Sequence, residues 1–226
     1  MGETKLEVDR RKIDNRISRL RKDWLKIRKS RRLQRKSRLR QNIDTTVLIG
    51  YTNAGKSTLL NRLTSAKVLA RDQLFSTVDT TTRRLVLPDS TTLLVSDTGG
   101  FISDLPAPLL AAFRATLEVV EEATLLLHVV DASSAILEDK IHAVNEILGS
   151  LDCSQRPVLT IFNKMDQIED ELELKDMERC LEPRVRCSAL HDDLTEIKDN
   201  MTMLLKENKE SIKNTLVEED PFFPSV

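Results

Sequence analysis

Residues 47–58 constrain the fold more than any other stretch of the chain. The aliphatic run Val47-Leu48-Ile49 leads directly into Gly50-Tyr51-Thr52-Asn53-Ala54-Gly55-Lys56-Ser57, and Thr58-Leu59-Leu60 then opens a helical pattern. This is G-x-x-x-x-G-K-S/T in the strand, turn and helix setting that the motif requires. The glycines let backbone curl around a phosphate, with N–H groups pointing inward at a helix N-terminus. Lys56 can reach the β- and γ-phosphates of a nucleotide, and the Ser57 hydroxyl can ligate Mg²⁺. Residues 50–58 are therefore the candidate phosphate site.

The chain around this turn alternates between strand and helix patterns. Leu85-Val86-Leu87 and Leu93-Leu94-Val95 flank Pro88-Asp89-Ser90 as a hairpin. Leu125 to Val130, Val158 to Phe162 and Arg184 to Cys187 read as three more strands. Helical spacing is clearest at Leu137, Ile141, Val144 and Leu148, and again at Leu194, Ile197, Met201 and Leu204. Only 4% of residues are aromatic while 40% are hydrophobic, so Leu, Val and Ile carry the apolar mass. Such aliphatic runs suit strands covered on both faces. The expected fold is α/β, a P-loop nucleotide-binding fold with a mostly parallel, doubly wound sheet and helices on both faces.

Two further loops complete a nucleotide site. Asp97-Thr98-Gly99-Gly100 closes the third strand, where Asp97 can hold Mg²⁺ through water and Gly100 can offer its N–H to a γ-phosphate. Four of the chain's six glycines lie in these two loops, so glycine is concentrated where backbone must approach phosphate. Asn163-Lys164-Met165-Asp166 follows the strand ending at Phe162 and names the base. Guanine presents N1–H and N2–H₂ as a donor pair that one Asp166 carboxylate can accept; adenine offers an acceptor at N1 and no N2 amine. A site built on such hydrogen bonds discriminates by about 10⁴ or more. Lys164 would lie along the base plane, Asn163 would brace the phosphate loop, and Cys187-Ser188-Ala189 would cap the guanine carbonyl with a backbone N–H.

Between the phosphate loop and the hairpin lies Phe75-Ser76-Thr77-Val78-Asp79, in a polar stretch without helical period. A threonine here can bind Mg²⁺ only when a γ-phosphate orders the loop. Spacing leaves Thr77, Thr80, Thr81 and Thr82 as candidates. Phe101 follows Gly100 where Ras-type enzymes place a water-orienting Gln, which points to slow intrinsic hydrolysis that depends on outside help. Asn53 can either shape the phosphate loop or aim its amide oxygen at a monovalent cation such as K⁺.

Charge divides the chain. Residues 1–40 hold 17 of the 35 Lys/Arg and 5 of the 36 Asp/Glu, a net of +12 against −13 for the remainder. Residues 4–41 read as one basic helix, with Ile13, Ile17, Leu20, Trp24 and Ile27 spaced as a coiled-coil seam. Lys26, Arg28, Lys29, Arg31, Arg32, Arg35, Lys36, Arg38 and Arg40 surround that helix with no acid among them, and contact with RNA would release counterions. Residues 1–41, 43–206 and 207–226 are thus expected as basic helix, nucleotide domain and disordered tail. No apolar run approaches the roughly 18 residues of a membrane span. Cys153, Cys180 and Cys187 form no C-x-x-C pair and suit a reducing compartment, so a cytoplasmic or organellar protein is expected.

Several strings are more specific than these general motifs. GYTNAGKSTLLNRLT (50–64), DQLFSTVD (72–79), DTGGFISDLP (97–106), AAFRATLE (111–118) and LLLHVVDAS (125–133), with GETKLE at 2–7, together resemble the HflX GTPases. The resemblance covers about residues 2–190. It implies a translational GTPase that binds the large ribosomal subunit and its rRNA, is stimulated by the ribosome, helps split stalled or idle ribosomes, and ligates Mg²⁺ through Thr77. Gly99 stands where the family usually has Val, and Thr80 where it has Pro. The family's N-terminal domain, including the first helix of its coiled coil, is not in the sequence, which would leave the seam without its partner helix. The expected function is a GTP/GDP switch on the ribosome, monomeric and without a membrane span. A GTPase of ribosome assembly or tRNA modification, or an RNA-binding module with little hydrolysis, are the alternatives.

Overall fold

The computed structural model describes residues 43–64, 81–98, 100, 119–150, 153, 156–168 and 178–218. The chain divides between Ile43 and Asp44, and every element below belongs to the second unit. The basic helix expected over 4–41 lies outside the described residues.

Six strands form one sheet: β1 (Asp44–Ile49), β2 (Thr81–Val86), β3 (Thr92–Asp97), β4 (Leu125–Asp131), β5 (Val158–Asn163) and β6 (Arg184–Arg186), in the order β2-β3-β1-β4-β5-β6. All neighbours are parallel except β2, which pairs antiparallel with β3 across the hairpin. The order reverses at β1, so the crevice for a ligand opens at the carboxyl ends of β1 and β3, where the phosphate loop and Asp97 lie.

Alternation along the strands decides which helix covers which face. Leu48, Leu125, Leu127, Val129, Leu159 and Ile161 pack with α1 (Lys56–Thr64) and α3 (Thr195–Glu218) through Leu59, Leu60, Leu63, Ile197 and Met201. Val47, Ile49 and Leu126 face the other way and meet α2 (Leu137–Ser150) at Val144 and Leu148. Val130 and Phe162 extend that second layer to Leu137 and Ile141. Both faces of the central strands are covered, which explains why they read as unbroken aliphatic runs.

Two differences from the sequence reading have physical causes. β2 begins at Thr81 and ends at Val86, earlier than the expected apolar run 85–87. It is an edge strand with one paired neighbour, so polar Thr81, Thr82, Arg83 and Arg84 are tolerated there. The second difference is a correction: residues 207–218 are not a disordered tail but the continuation of α3. Lys206 pairs with Asp89 at 3.1 Å, Lys209 with Asp44 at 2.7 Å, and Asn208 Nδ2 donates to Thr124 O at 3.2 Å. Charges that look merely solvated in the sequence are partners for the far edge of the sheet. Among the described residues no helix is long and apolar enough to cross a membrane.

His128 lies inside this frame on β4, opposite Ile49 of β1 and Thr160 of β5. Burial first, and then the charge of Lys56, push its pKa from 6.5 down to about 4. Above pH 6.5 the ring is neutral folded and unfolded, and pH has no leverage. As pH falls below 6.5 the unfolded chain takes up a proton that the folded chain refuses. Stability therefore drops with acid, by up to about 2 kcal/mol between pH 6.5 and 5. Urea unfolding at pH 7, 6 and 5 measures this slope, and His128→Asn is expected to flatten it; equal slopes in both proteins would place the acid sensitivity elsewhere.

Candidate functional site

Four loops converge at the carboxyl edge of the sheet. The first, residues 50–55, joins β1 to α1. Asn53 adopts φ 64, a left-handed conformation that Asn tolerates better than most residues, so it does shape the loop. Gly55 is at φ 95, and a Cβ there would lie 2.2 Å from Asn163 Nδ2, so only glycine fits. Tyr51 lies under Lys140 of α2, whose ammonium is 5.3 Å from the ring centre. α1 carries no acidic residue in its first turn, leaving its positive end available to an anion.

Lys56 is buried and donates to Gly50 O at 3.0 Å and Tyr51 O at 2.8 Å. Those bonds fold the side chain back over the loop that precedes it. Burial lowers its pKa to about 8, and the charge of Asp97 opposes that fall. At neutral pH it is therefore mostly an ammonium, the form that phosphate needs.

Ser57 Oγ donates to Asp97 Oδ2 at 2.5 Å, and both side chains are buried. A hydroxyl and a carboxylate brought together at a phosphate loop are hard oxygen donors of the kind that Mg²⁺ takes alongside water and phosphate. Thr98 Oγ1 anchors the turn after β3 to Leu48 O at 2.7 Å. Gly100 then comes so close to the phosphate loop that a Cβ would lie 2.6 Å from Thr52 Cα. Asp97, Thr98 and Gly100 are thus held against residues 50–58.

Asn163 joins the phosphate side to the base side. Its Nδ2 donates to Ala54 O at 2.8 Å, while its Oδ1 accepts the Ala189 N–H at 2.8 Å and faces the Cys187 thiol at 3.9 Å. Lys164, at φ 64, pairs with Asp131 Oδ2 at 2.8 Å. Met165 and Asp166 follow in a short 3-10 turn, Met165–Gln167. Asp166 is exposed, and the neighbouring Ser188 hydroxyl does most to hold its carboxyl below the usual range, keeping it an acceptor. The Ser188 N–H is taken by Asp192 Oδ2 at 2.6 Å, so a guanine carbonyl would share the Ala189 N–H with Asn163. Burial, then Asp192 and Glu196, push the Cys187 thiol up to about 12, which makes it an inert packing group.

The structure therefore brings together residues 50–58, Asp97, Thr98, Gly100, Asn163–Asp166 and Cys187–Ala189. Thr81 and Thr82 belong to β2, with Thr82 Oγ1 2.8 Å from Ser96 Oγ. Phe75, Ser76, Thr77, Val78, Asp79, Thr80, Gly99 and Phe101 lie outside the described residues. So do Lys26, Arg28, Lys29, Arg31, Arg32, Arg35, Lys36, Arg38 and Arg40. Asp131, which holds Lys164, and Arg62, which reaches the loop after β6, are not among the residues the sequence singles out. Neither is marked by a general motif, although both lie in the more specific strings, Arg62 in GYTNAGKSTLLNRLT and Asp131 in LLLHVVDAS.

Removing the Asn163 amide leaves Ala54 O and the Ala189 N–H without this shared partner. Asn163→Ala is expected to weaken GDP binding by about a hundredfold, the cost of two buried hydrogen bonds. Calorimetric titration measures it, and a change below threefold would show that the two loops hold without the bridge.

A profile of the family described as 50S ribosome-binding GTPase matches residues 45–164, and one described as GTP-binding GTPase Middle Region matches residues 1–38. GTPase HflX of Escherichia coli (strain K12) is 47% identical over 169 residues, 75% of this chain and 40% of that protein. GTPase HflX of Lacrimispora saccharolytica is 40% identical over 209 residues, 92% of this chain and 49% of that protein. The chain thus spans half or less of the length of these two relatives. The solved GDP complex of SsGBP superposes with a TM-score of 0.65 at 26% identity, covering 89% of this chain and 61% of that one. The match over residues 45–164, more than half of the sequence, shows that the chain belongs to the 50S ribosome-binding GTPase family.

Proposed function

We propose that this chain binds GTP with Mg²⁺, hydrolyses it slowly, and acts as a two-state switch on the large ribosomal subunit, where it takes part in ribosome splitting or rescue. The observation that carries the nucleotide half is the Asn163 bridge, which ties the phosphate loop to the loop that would read guanine. The description of the matching family and the basic composition of residues 26–40 support the ribosomal half.

In this reading Ser57, Asp97 and Thr77 would hold Mg²⁺, which would supply positive charge beside the nucleotide's phosphates. The chain's own groups do the rest. Lys56 holds the phosphates as an ammonium, Gly100 offers its N–H where charge develops, and Asp166 accepts the two guanine donors. Phe101 can neither donate nor accept, so the attacking water depends on a group from outside the chain, and basal turnover is slow. K⁺ would be an additional cofactor if the Asn53 amide oxygen, in the phosphate loop, met a monovalent cation once nucleotide is bound. Cys153, Cys180 and Cys187 are not in disulfides, which supports a reducing location, cytoplasmic or organellar.

Steady-state GTP hydrolysis in Mg²⁺ buffer, with K⁺ or Na⁺ and with 50S subunits titrated in, tests the proposal. The expected outcome is a slow basal rate that rises at least about tenfold with subunits, since outside groups act strongly in such enzymes. Replacing Arg31, Arg32, Arg35 and Lys36 with Gln should weaken subunit binding and its salt dependence together. Stimulation by assembly precursors or free tRNA, and not by mature subunits, would favour the assembly or tRNA-modification reading. Tight GDP binding without any stimulated turnover would leave a nucleotide-reading module.

A further inference from the structure

α1 bears Lys56 and Ser57 in its first turn and Arg62 in its last. The Arg62 guanidinium spans to the loop that follows β6. Its Nη1 donates to Ala189 O at 3.1 Å and to Leu190 O, and its Nη2 donates to Asp192 O at 2.9 Å. Three carbonyls can meet one planar group because the loop is tightly turned. The N–H groups of His191 and Asp192 both donate to Ser188 O, at 3.1 and 3.0 Å, and Asp192 Oδ2 accepts the Ser188 N–H. A guanidinium presents five donors in a rigid fork, which a lysine ammonium cannot match across three separate acceptors.

The same loop supplies the groups beside guanine. Ala189 N–H meets Asn163 on its inner side, and Ser188 adjoins Asp166. The loop is therefore gripped twice, by Asn163 from within the site and by Arg62 from the last turn of α1. We propose that Arg62 is a positioning residue for guanine: it locks residues 188–192 to the helix that begins at the phosphate loop, so that base and phosphate are held by one rigid unit. Arg62 itself touches neither. The inference rests on a guanine nucleotide occupying this site.

The test is the dissociation rate of a fluorescent N-methylanthraniloyl GDP from the full chain, followed by stopped flow. Arg62→Ala is expected to release it about tenfold faster, as three charge-assisted bonds to the loop are lost. Arg62→Lys should recover little of this. A general loss of structure would act whatever the base contact, so the same substitution is repeated in an Asp166→Ala background. If Arg62 works through the base loop, its effect should shrink below about twofold there, since the two residues share one pathway. An Arg62→Ala rate like that of the original chain, or an equal effect in both backgrounds, overturns the proposal. Arg62→Gln keeps a donor without the fork and carries the same cycle should the alanine variant fail to fold. If the original chain does not bind the GDP probe, the nucleotide reading fails first, and the two failures remain distinct.

Discussion

One buried amide holds the site together. Asn163 stands at the end of β5, where the sheet places it between the phosphate loop and the turn after β6, and it satisfies one backbone group on each. Its surroundings leave it no slack. Gly55 must lack a side chain because Asn163 Nδ2 occupies that space, and β4 holds the strand from the other side in the register Asp131 to Asn163. Unsatisfied polar groups at this depth are costly, so the geometry of two distant loops is coupled to a single side chain. The shape of the loop at residues 50–55 and that of the turn after β6 are thus not separate properties of the fold.

The same dependence on position runs through the metal-suited pair. Ser57 lies in the first turn of α1 and Asp97 ends β3, and they meet because β1 and β3 are parallel neighbours whose carboxyl ends lie side by side. Nothing in the two loops alone would bring them within hydrogen-bond distance. Leu48 contributes from β1, through its carbonyl to Thr98. A doubly wound sheet gives this arrangement to any chain that reverses strand order at β1, and the side chains then decide the chemistry.

Much of this is legible in the residues. The phosphate loop and Asn163–Asp166 are readable because each residue type answers a fixed chemical demand: a curled backbone, an ammonium, a carboxylate for two donors. Strands β4 and β5 are plain because covering on both faces leaves unbroken aliphatic runs. Arg62 and Asp131 are not legible. An arginine that binds backbone carbonyls asks for no partner residue type and so leaves no pattern. The start of β2 is hidden because an edge strand tolerates Thr81 to Arg84, which read as loop. Residues 207–218 look like a tail for a related reason. Lys206 and Lys209 resemble a solvated charge run until Asp89 and Asp44 are seen opposite them.

Those last contacts give the domain a mechanical polarity. Lys206, Asn208 and Lys209 strap α3 to the β2–β3 turn, to the backbone before β4 and to the start of β1, all at the end of the sheet away from the nucleotide loops. The strap is two ion pairs and one side-chain amide hydrogen bond, so it is far more sensitive to ionic strength than the apolar core it closes. Added salt weakens this end of α3 first, while Ile197 and Met201 hold the rest of the helix on the sheet.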